Sequence, residues 1–336
     1  MMNSCVAVTE IDGILVGHAQ NNQALTGCTV IICKNGAVGG VDQRGGAPGT
    51  RETDLLRPMH MVEKVHAIML SGGSAFGLDA AGGAMKYLEE NNVGINTGVA
   101  KVPIVPSAIL FDLAIGSSEI RPDKEMGYQA CIDASSNPPK QGNYGVGTGA
   151  TVGKIFGMGQ SMKSGVGMAG IDLGGGVLIS VIIAVNAFGD VIDPKSRKII
   201  AGARTIQKGP LKLGSANIFA DTLETMKSFI GKTVLSFASK QNTVIGVVVT
   251  NAILSKEGAN KVAQMAQNGL ALSIRPAHTM LDGDTIFVMA TGKRNADVNL
   301  VGAYAAEIVS QAIVNAVISA ETIGGLPSVK SLNKNN

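Results

Sequence analysis

Lys240-Gln-Asn-Thr-Val-Ile-Gly-Val-Val-Val-Thr250 sets a polar Asn242-Thr243 pair directly in front of a continuous β-branched run. Val and Ile at 244, 245, 247, 248 and 249 suit a strand buried on both faces. A threonine at the mouth of such a strand is stiff at χ1, so its hydroxyl is held in place. If the Asn242–Thr243 bond were cut, Thr243 would carry a nucleophilic hydroxyl and a free α-amine on one residue, the N-terminal-threonine form of an activated nucleophile. The plain alternative is a core strand that begins with Thr. This stretch alone leaves both open.

Composition narrows the class. The chain has 336 residues, enough to bury a large core. Charged residues make up 16% and mean hydropathy is +0.25, which excludes a disordered chain. The 44 glycines lack a Gly-X-Y period, so they imply tight turns and close backbone approaches and not collagen. A net charge of +3 with no Trp argues against a nucleic-acid partner. Met1 to Glu10 has no basic stretch followed by an apolar core, so no signal peptide is expected. The apolar run Val177 to Val185 is too short to span a membrane, and no membrane association is expected. Cys5, Cys28, Cys33 and Cys131 form no CxxC and no zinc spacing. They suit a reducing cytoplasm as small buried groups, and neither a metal nor a cofactor is expected.

The periodicities predict a mixture of strands and helices. Gly13–Gly17, Cys28–Cys33, Val65–Leu70, Val177–Val185 and Asp284–Ala290 read as strands, and Asn35-Gly36 reads as a hairpin turn. A helix is expected after Ser71-Gly-Gly-Ser74, with Ser74 near its N-cap and Asn91-Asn92 as its stop. Others are expected over Ser255–Leu272 and Leu300–Ala320, the last closed by Gly324-Gly-Leu-Pro327, with a short one over Asp221–Ile230. Residues 205–241 form a polar region expected to be exposed ahead of the Asn242–Thr243 bond. Strands and helices do not alternate strictly and no repeat is present, which points to layered α+β in one domain.

Several motifs invite chemistry, each with a bland reading beside it. Gly145-Val-Gly-Thr-Gly-Ala-Thr-Val-Gly-Lys154 fails as a phosphate loop, because Thr148 stands where a Gly is needed and Ile155 follows the Lys. It is either a tight structural loop or one that delivers Lys154 to a site. Ser71-Gly-Gly-Ser-Ala-Phe-Gly77 lacks the closing glycine of a nucleophile elbow. Asp282-Gly-Asp284 is either a turn or a pair of carboxylates that raise one another's pKa. Asn186, at the end of a strand, is either a turn residue or an amide aimed at an oxyanion. His18, His60, His66 and His278 show no metal-ligand spacing and read as satisfied core or surface residues.

Taken in order, Asp42–Thr53, Leu70–Ala80, Gly147–Lys154, Val185–Gly189, Asn242-Thr243 and His278–Thr285 resemble the DmpA-type family of L-aminopeptidase/D-esterases. That family includes β-peptidyl aminopeptidases and the endo-type nylon oligomer hydrolase. The resemblance covers nearly the whole chain. It implies an α+β, four-layer αββα sandwich, made as one precursor that cuts itself into 1–242 and 243–336. It further implies a cytoplasmic homotetramer of processed chains acting on small peptide, amide or ester substrates.

By the same resemblance Thr243 is the nucleophile, Asn186 the oxyanion-stabilising amide and Lys154 the cationic partner. Asp282 and Asp284 are the acidic pair that supports processing and borders the substrate, with Asp284 a candidate partner for a substrate ammonium. A tyrosine that some relatives place near the oxyanion corresponds to Phe111. Thr after Asn, with the Asp-Gly-Asp pair, lies nearer the nylon oligomer hydrolase than the serine aminopeptidases. Two rival expectations are an acyltransferase of the ornithine acetyltransferase type and an unprocessed, non-catalytic binding protein on the same fold.

Overall fold

The computed structural model describes residues 6–206, 218–228 and 242–333. Nine strands make one hydrogen-bonded set: β1 (Ile14–Asn21), β2 (Thr26–Gln43), β3 (Thr50–Arg51), β4 (Lys64–Ser71), β5 (Ser107–Ile109), β6 (Val166–Asp172), β7 (Leu178–Asn186), β8 (Thr243–Ala252) and β9 (Thr285–Arg294). Four longer helices accompany them: α1 (Ala80–Glu90), α2 (Lys124–Ile132), α3 (Lys256–Ser273) and α4 (Val298–Ser319).

The strand β2 belongs to two layers. Its first half pairs with β1 and β4, and its second half pairs antiparallel with β9. The register shifts between Ile32 and Ala37, where Gly36 has a positive φ. Asn35-Gly36 is therefore not the hairpin turn that the dipeptide suggested. Strand pairing continues on both sides, and the glycine supplies a bulge that bends one long strand from the first sheet into the second.

Three cores then define the layers. Ile31, Ile68, Ile182, Val247 and Phe287 pack between the two sheets. Val30, Ala67 and Met69 face α1 and α2 residues such as Ala84, Leu88 and Ala130. Val244, Val248, Ile286 and Val288 face Val262, Ala266, Val309 and Ile313 on α3 and α4. The order helix, sheet, sheet, helix is the four-layer αββα sandwich. Because a strand's side chains alternate, a β8 run with both faces covered must be apolar throughout, and all ten of its residues are buried.

The helix caps follow local chemistry. Ser255 accepts the Gly258 N–H at the start of α3, and Asp297 accepts those of Asn299 and Leu300 at the start of α4. Two expected caps are absent. Ser74 has a positive φ and leads a 3-10 turn (Ser74–Asp79) before α1, without a capping side-chain bond. Gly324 and Gly325 lie beyond Ala320, the residue that ends α4, and form a separate turn. α4 is long and apolar enough to cross a membrane, but its face is spent on the core, with 61% of its most apolar window buried. The short helix expected over Asp221–Ile230 runs from Thr222 to Lys227, and Asp221 caps it by accepting the Glu224 N–H. The other residues of the polar region ahead of Asn242, 207–217 and 229–241, lie outside the described residues, as does Cys5. Cys28, Cys33 and Cys131 are buried free thiols.

Candidate active site

The Asn242–Thr243 bond sits at the start of β8, in the middle of the second sheet, with both residues 3% exposed. β7 runs antiparallel to β8, and its last residue, Asn186, is the register partner of Thr243. β9 runs parallel on the other side, preceded by the Asp282-Gly283-Asp284 turn, and Asn242 bridges to Asp282. The strand order thus brings together residues separated by tens of positions in the chain.

The Thr243 hydroxyl donates to the carbonyl oxygen of Asn242, the residue before it. The Gly283 N–H donates to that same oxygen at 2.9 Å. Asn186 is oriented without ambiguity. Its Oδ1 accepts from Lys154 Nζ at 2.7 Å and Thr151 N at 3.1 Å, while its Nδ2 donates to the Phe111 carbonyl at 2.9 Å. Lys154 Nζ also donates to the Asn186 carbonyl at 2.9 Å. The glycine-rich loop therefore delivers Lys154 to the site.

Electrostatics favour neutral forms here. Burial pushes Lys154 down to about 7, against the attraction of Asp282 and Asp112 and with help from Lys163. The lysine stem is partly exposed, while its amine end is enclosed by protein. Asp282 is pushed up to about 6 by burial and then by Asp284, with Lys154 and Thr279 opposing. The carboxylate of Asp282 accepts both the N–H (2.9 Å) and the hydroxyl (2.5 Å) of Thr279.

Asp284 is 1% exposed, and both of its oxygens are used within the fold. Oδ1 accepts the N–H of Val244 at 2.9 Å, directly after Thr243. Oδ2 accepts the N–H of His278 and meets His278 Nδ1, each at 3.0 Å. Asp284, which the resemblance offers as a partner for a substrate ammonium, thus has three of the roughly four lone-pair sites of its carboxylate occupied. Here it holds the strand that carries Thr243.

The sequence reading passed over three contributors. His278 reads as an ordinary histidine, yet its positive φ and its bond to Asp284 place it in the acidic turn. Burial lowers its proton affinity, and the Asp284 hydrogen bond and charge more than reverse this, so its pKa is raised. The Arg44–Ala47 segment pins the same turn through Arg44 N to the Asp284 carbonyl (3.0 Å), Gly46 N to that of Thr279 (3.0 Å) and Ala47 N to that of Asp282 (2.8 Å). Gly45 has no room for a Cβ against Asp282. Lys163, fully buried, donates to the carbonyls of Gly147 (3.1 Å), Ala150 (2.8 Å) and Ser164 (2.5 Å), fastening the loop that carries Thr151 and Lys154. Three carbonyl acceptors match the three hydrogens of an ammonium. After Ser71, the Gly73 N–H is taken by the buried Asp112 carboxylate at 2.7 Å.

The same arrangement of strands is found in solved proteins. The structure is similar to the L-aminopeptidase D-Ala-esterase/amidase from Ochrobactrum anthropi, described as a variant of the Ntn hydrolase fold, with TM-score 0.67, 17% identity, and coverage of 96% of this chain and 88% of that one. In sequence, the chain is 38% identical to an uncharacterised aminopeptidase of Mycobacterium tuberculosis, over 98% of both chains. It is 29% identical to a 6-aminohexanoate-oligomer endohydrolase of Kocuria, over 91% of this chain and 84% of that one. The profile of Peptidase family S58 matches residues 6–330, and with the mycobacterial likeness along the full length this establishes the chain as a member of that family, a hydrolase of the peptidase class.

Proposed function

We propose that this chain is a self-processing amidohydrolase in which cleavage between Asn242 and Thr243 frees an N-terminal threonine nucleophile. The observation that carries this is the buried Thr243 hydroxyl lying on the Asn242 carbonyl, inside a ring of Asn186, Gly283 and the acidic turn. Thr243 Oγ attacks the Asn242 carbonyl carbon, and the C–N bond breaks as the nitrogen takes a proton. Water then hydrolyses the resulting ester. No α-amine is free at that stage, so the hydroxyl proton passes to Lys154, whose enclosure lets it reach the neutral form near pH 7.

In the mature enzyme the Thr243 α-amine, with an unperturbed pKa of roughly 7.7–8.0, accepts the proton of its own hydroxyl. When Lys154 is protonated, its charge disfavours protonation of that amine. The Asn186 Nδ2, moved from Phe111, donates to the tetrahedral oxyanion, a contact whose loss costs about 2.7–4 kcal/mol. The substrates proposed are small amides: the N-terminal residue of short peptides, amino-acid amides or esters, and ω-amino-acid oligomers. The family membership and the names of the relatives support that range. A cytoplasmic homotetramer belongs to the same proposal.

Intact mass of purified protein tests it. Fragments 1–242 and 243–336 are expected from the wild type, with one uncut chain from Thr243→Ala. Turnover of an amide panel should follow the cut form. An uncut wild-type chain that hydrolyses amides would refute the proposal.

A further inference from the structure

We propose that the backbone N–H of Gly283 is the oxyanion donor of the self-cleavage step, separate from the Asn186 amide assigned to turnover. This rests on the reading of Thr243 above. In the uncut chain the Gly283 N–H already reaches the Asn242 carbonyl oxygen at 2.9 Å, the atom on which charge develops when Thr243 attacks. The Asn186 side-chain N–H₂ is directed instead at the Phe111 carbonyl, and its oxygen holds Lys154 and Thr151.

An oxyanion donor is effective when it is fixed beforehand, so that no reorganisation accompanies the reaction. Gly283 is fixed on both sides. The Asp282 carbonyl accepts Ala47 N and the Asp284 carbonyl accepts Arg44 N. The two flanking carboxylates are tied to Thr279 on one side and to His278 and Val244 on the other. The Asp284 bond to Val244 N–H joins the turn to the strand that bears the nucleophile, so donor and nucleophile share one framework. The acidic pair acts on cleavage by placing this amide.

The residue must also be glycine. A Cβ at 283 would lie 2.8 Å from Thr243 Oγ1 and 2.7 Å from the Ala47 carbonyl oxygen, inside normal contact. In the step itself, the Thr243 Oγ–C bond forms and the carbonyl π pair moves onto oxygen, where the Gly283 N–H meets it. The hydroxyl proton goes to Lys154. Collapse returns the pair and expels the Thr243 nitrogen, which takes up a proton to give the ester.

The test is a single-atom exchange in the full chain. Cell-free translation with a suppressor tRNA carrying glycolic acid replaces the N–H of residue 283 by an ester oxygen without adding bulk. The same tRNA carrying glycine is the reference, and glycolic acid at Gly46 removes a hydrogen bond from the same turn away from the scissile carbonyl. Cleavage of labelled chain is followed on gels, with fragment masses confirming the cut before Thr243. The 283 ester is expected to slow cleavage about 10²–10³-fold, the loss typical of one oxyanion donor. The 46 ester should stay within about tenfold of the reference, as for one ordinary hydrogen bond. Equal rates for the 283 ester and the reference, or equal slowing by both esters, would overturn the assignment while leaving self-cleavage intact. A glycine reference that never cuts before Thr243 overturns the parent reading, and this one with it.

Discussion

At the scale of single residues, the site depends on which groups burial leaves neutral. Lys154 has its proton affinity lowered to about 7 because its amine end is enclosed. Its free-base fraction therefore rises as pH increases through neutrality. Self-cleavage of freshly refolded precursor should accelerate through this window. Lys154→Met should slow it by about 10²-fold or more, the usual weight of a positioned base, and should flatten the pH response near 7. A Lys154→Met precursor that matches the wild type at every pH would remove the lysine from the chemistry. The sequence named Thr243, Asn186, Lys154, Asp282 and Asp284 through motifs that place them far apart in the chain. His278 stayed hidden because one histidine carries no spacing signal, and Gly283 because a backbone N–H has no residue-type signature at all.

At the scale of elements, the glycines divide into two kinds. Gly36 has a positive φ at the bend of β2, and a Cβ there would meet only the flexible side chain of Lys64, at 3.0 Å. Gly40 lies in the second half of the same strand, against α3, where a Cβ would overlap the backbone of Ala259 and Asn260. Gly36→Ala should cost about 1 kcal/mol, the penalty of a left-handed position for an L side chain. Gly40→Ala should cost about 3 kcal/mol, at the upper end for overpacking, because a helix backbone cannot rotate aside as a side chain can. Urea midpoints measured in the uncut Thr243→Ala background compare the two without interference from processing. The apolar runs announced most strands and the long helices, but Asn35-Gly36 misled. The dipeptide specifies a positive-φ bend, and whether the chain reverses there or changes sheets depends on pairing with β4 and β9.

For the molecule as a whole, cleavage should change connectivity and not architecture. β8, β9, α3 and α4 follow the proposed cut, while β2 and β7, their partners in the sheet, precede it. The second helix layer and half of the second sheet would leave together if the fragments separated, exposing the core that spans them. Processed protein should thus elute as one species containing both fragments and resolve into two only in denaturant. Dissociation in buffer would mean that the cut disrupts the layers. The sequence by itself determined most of the strands, the long helices and that β8 is covered on both faces, because periodicity is a local property of the chain; the residues that accompany Thr243 came from the resemblance of its motifs to the DmpA-type family. Only the tertiary structure decided that β2 serves two sheets, that Asp284 holds Val244 and His278, and that a glycine amide meets the Asn242 carbonyl. Those facts arise from pairing between distant strands, where hydrogen bonds join backbone groups that every residue shares.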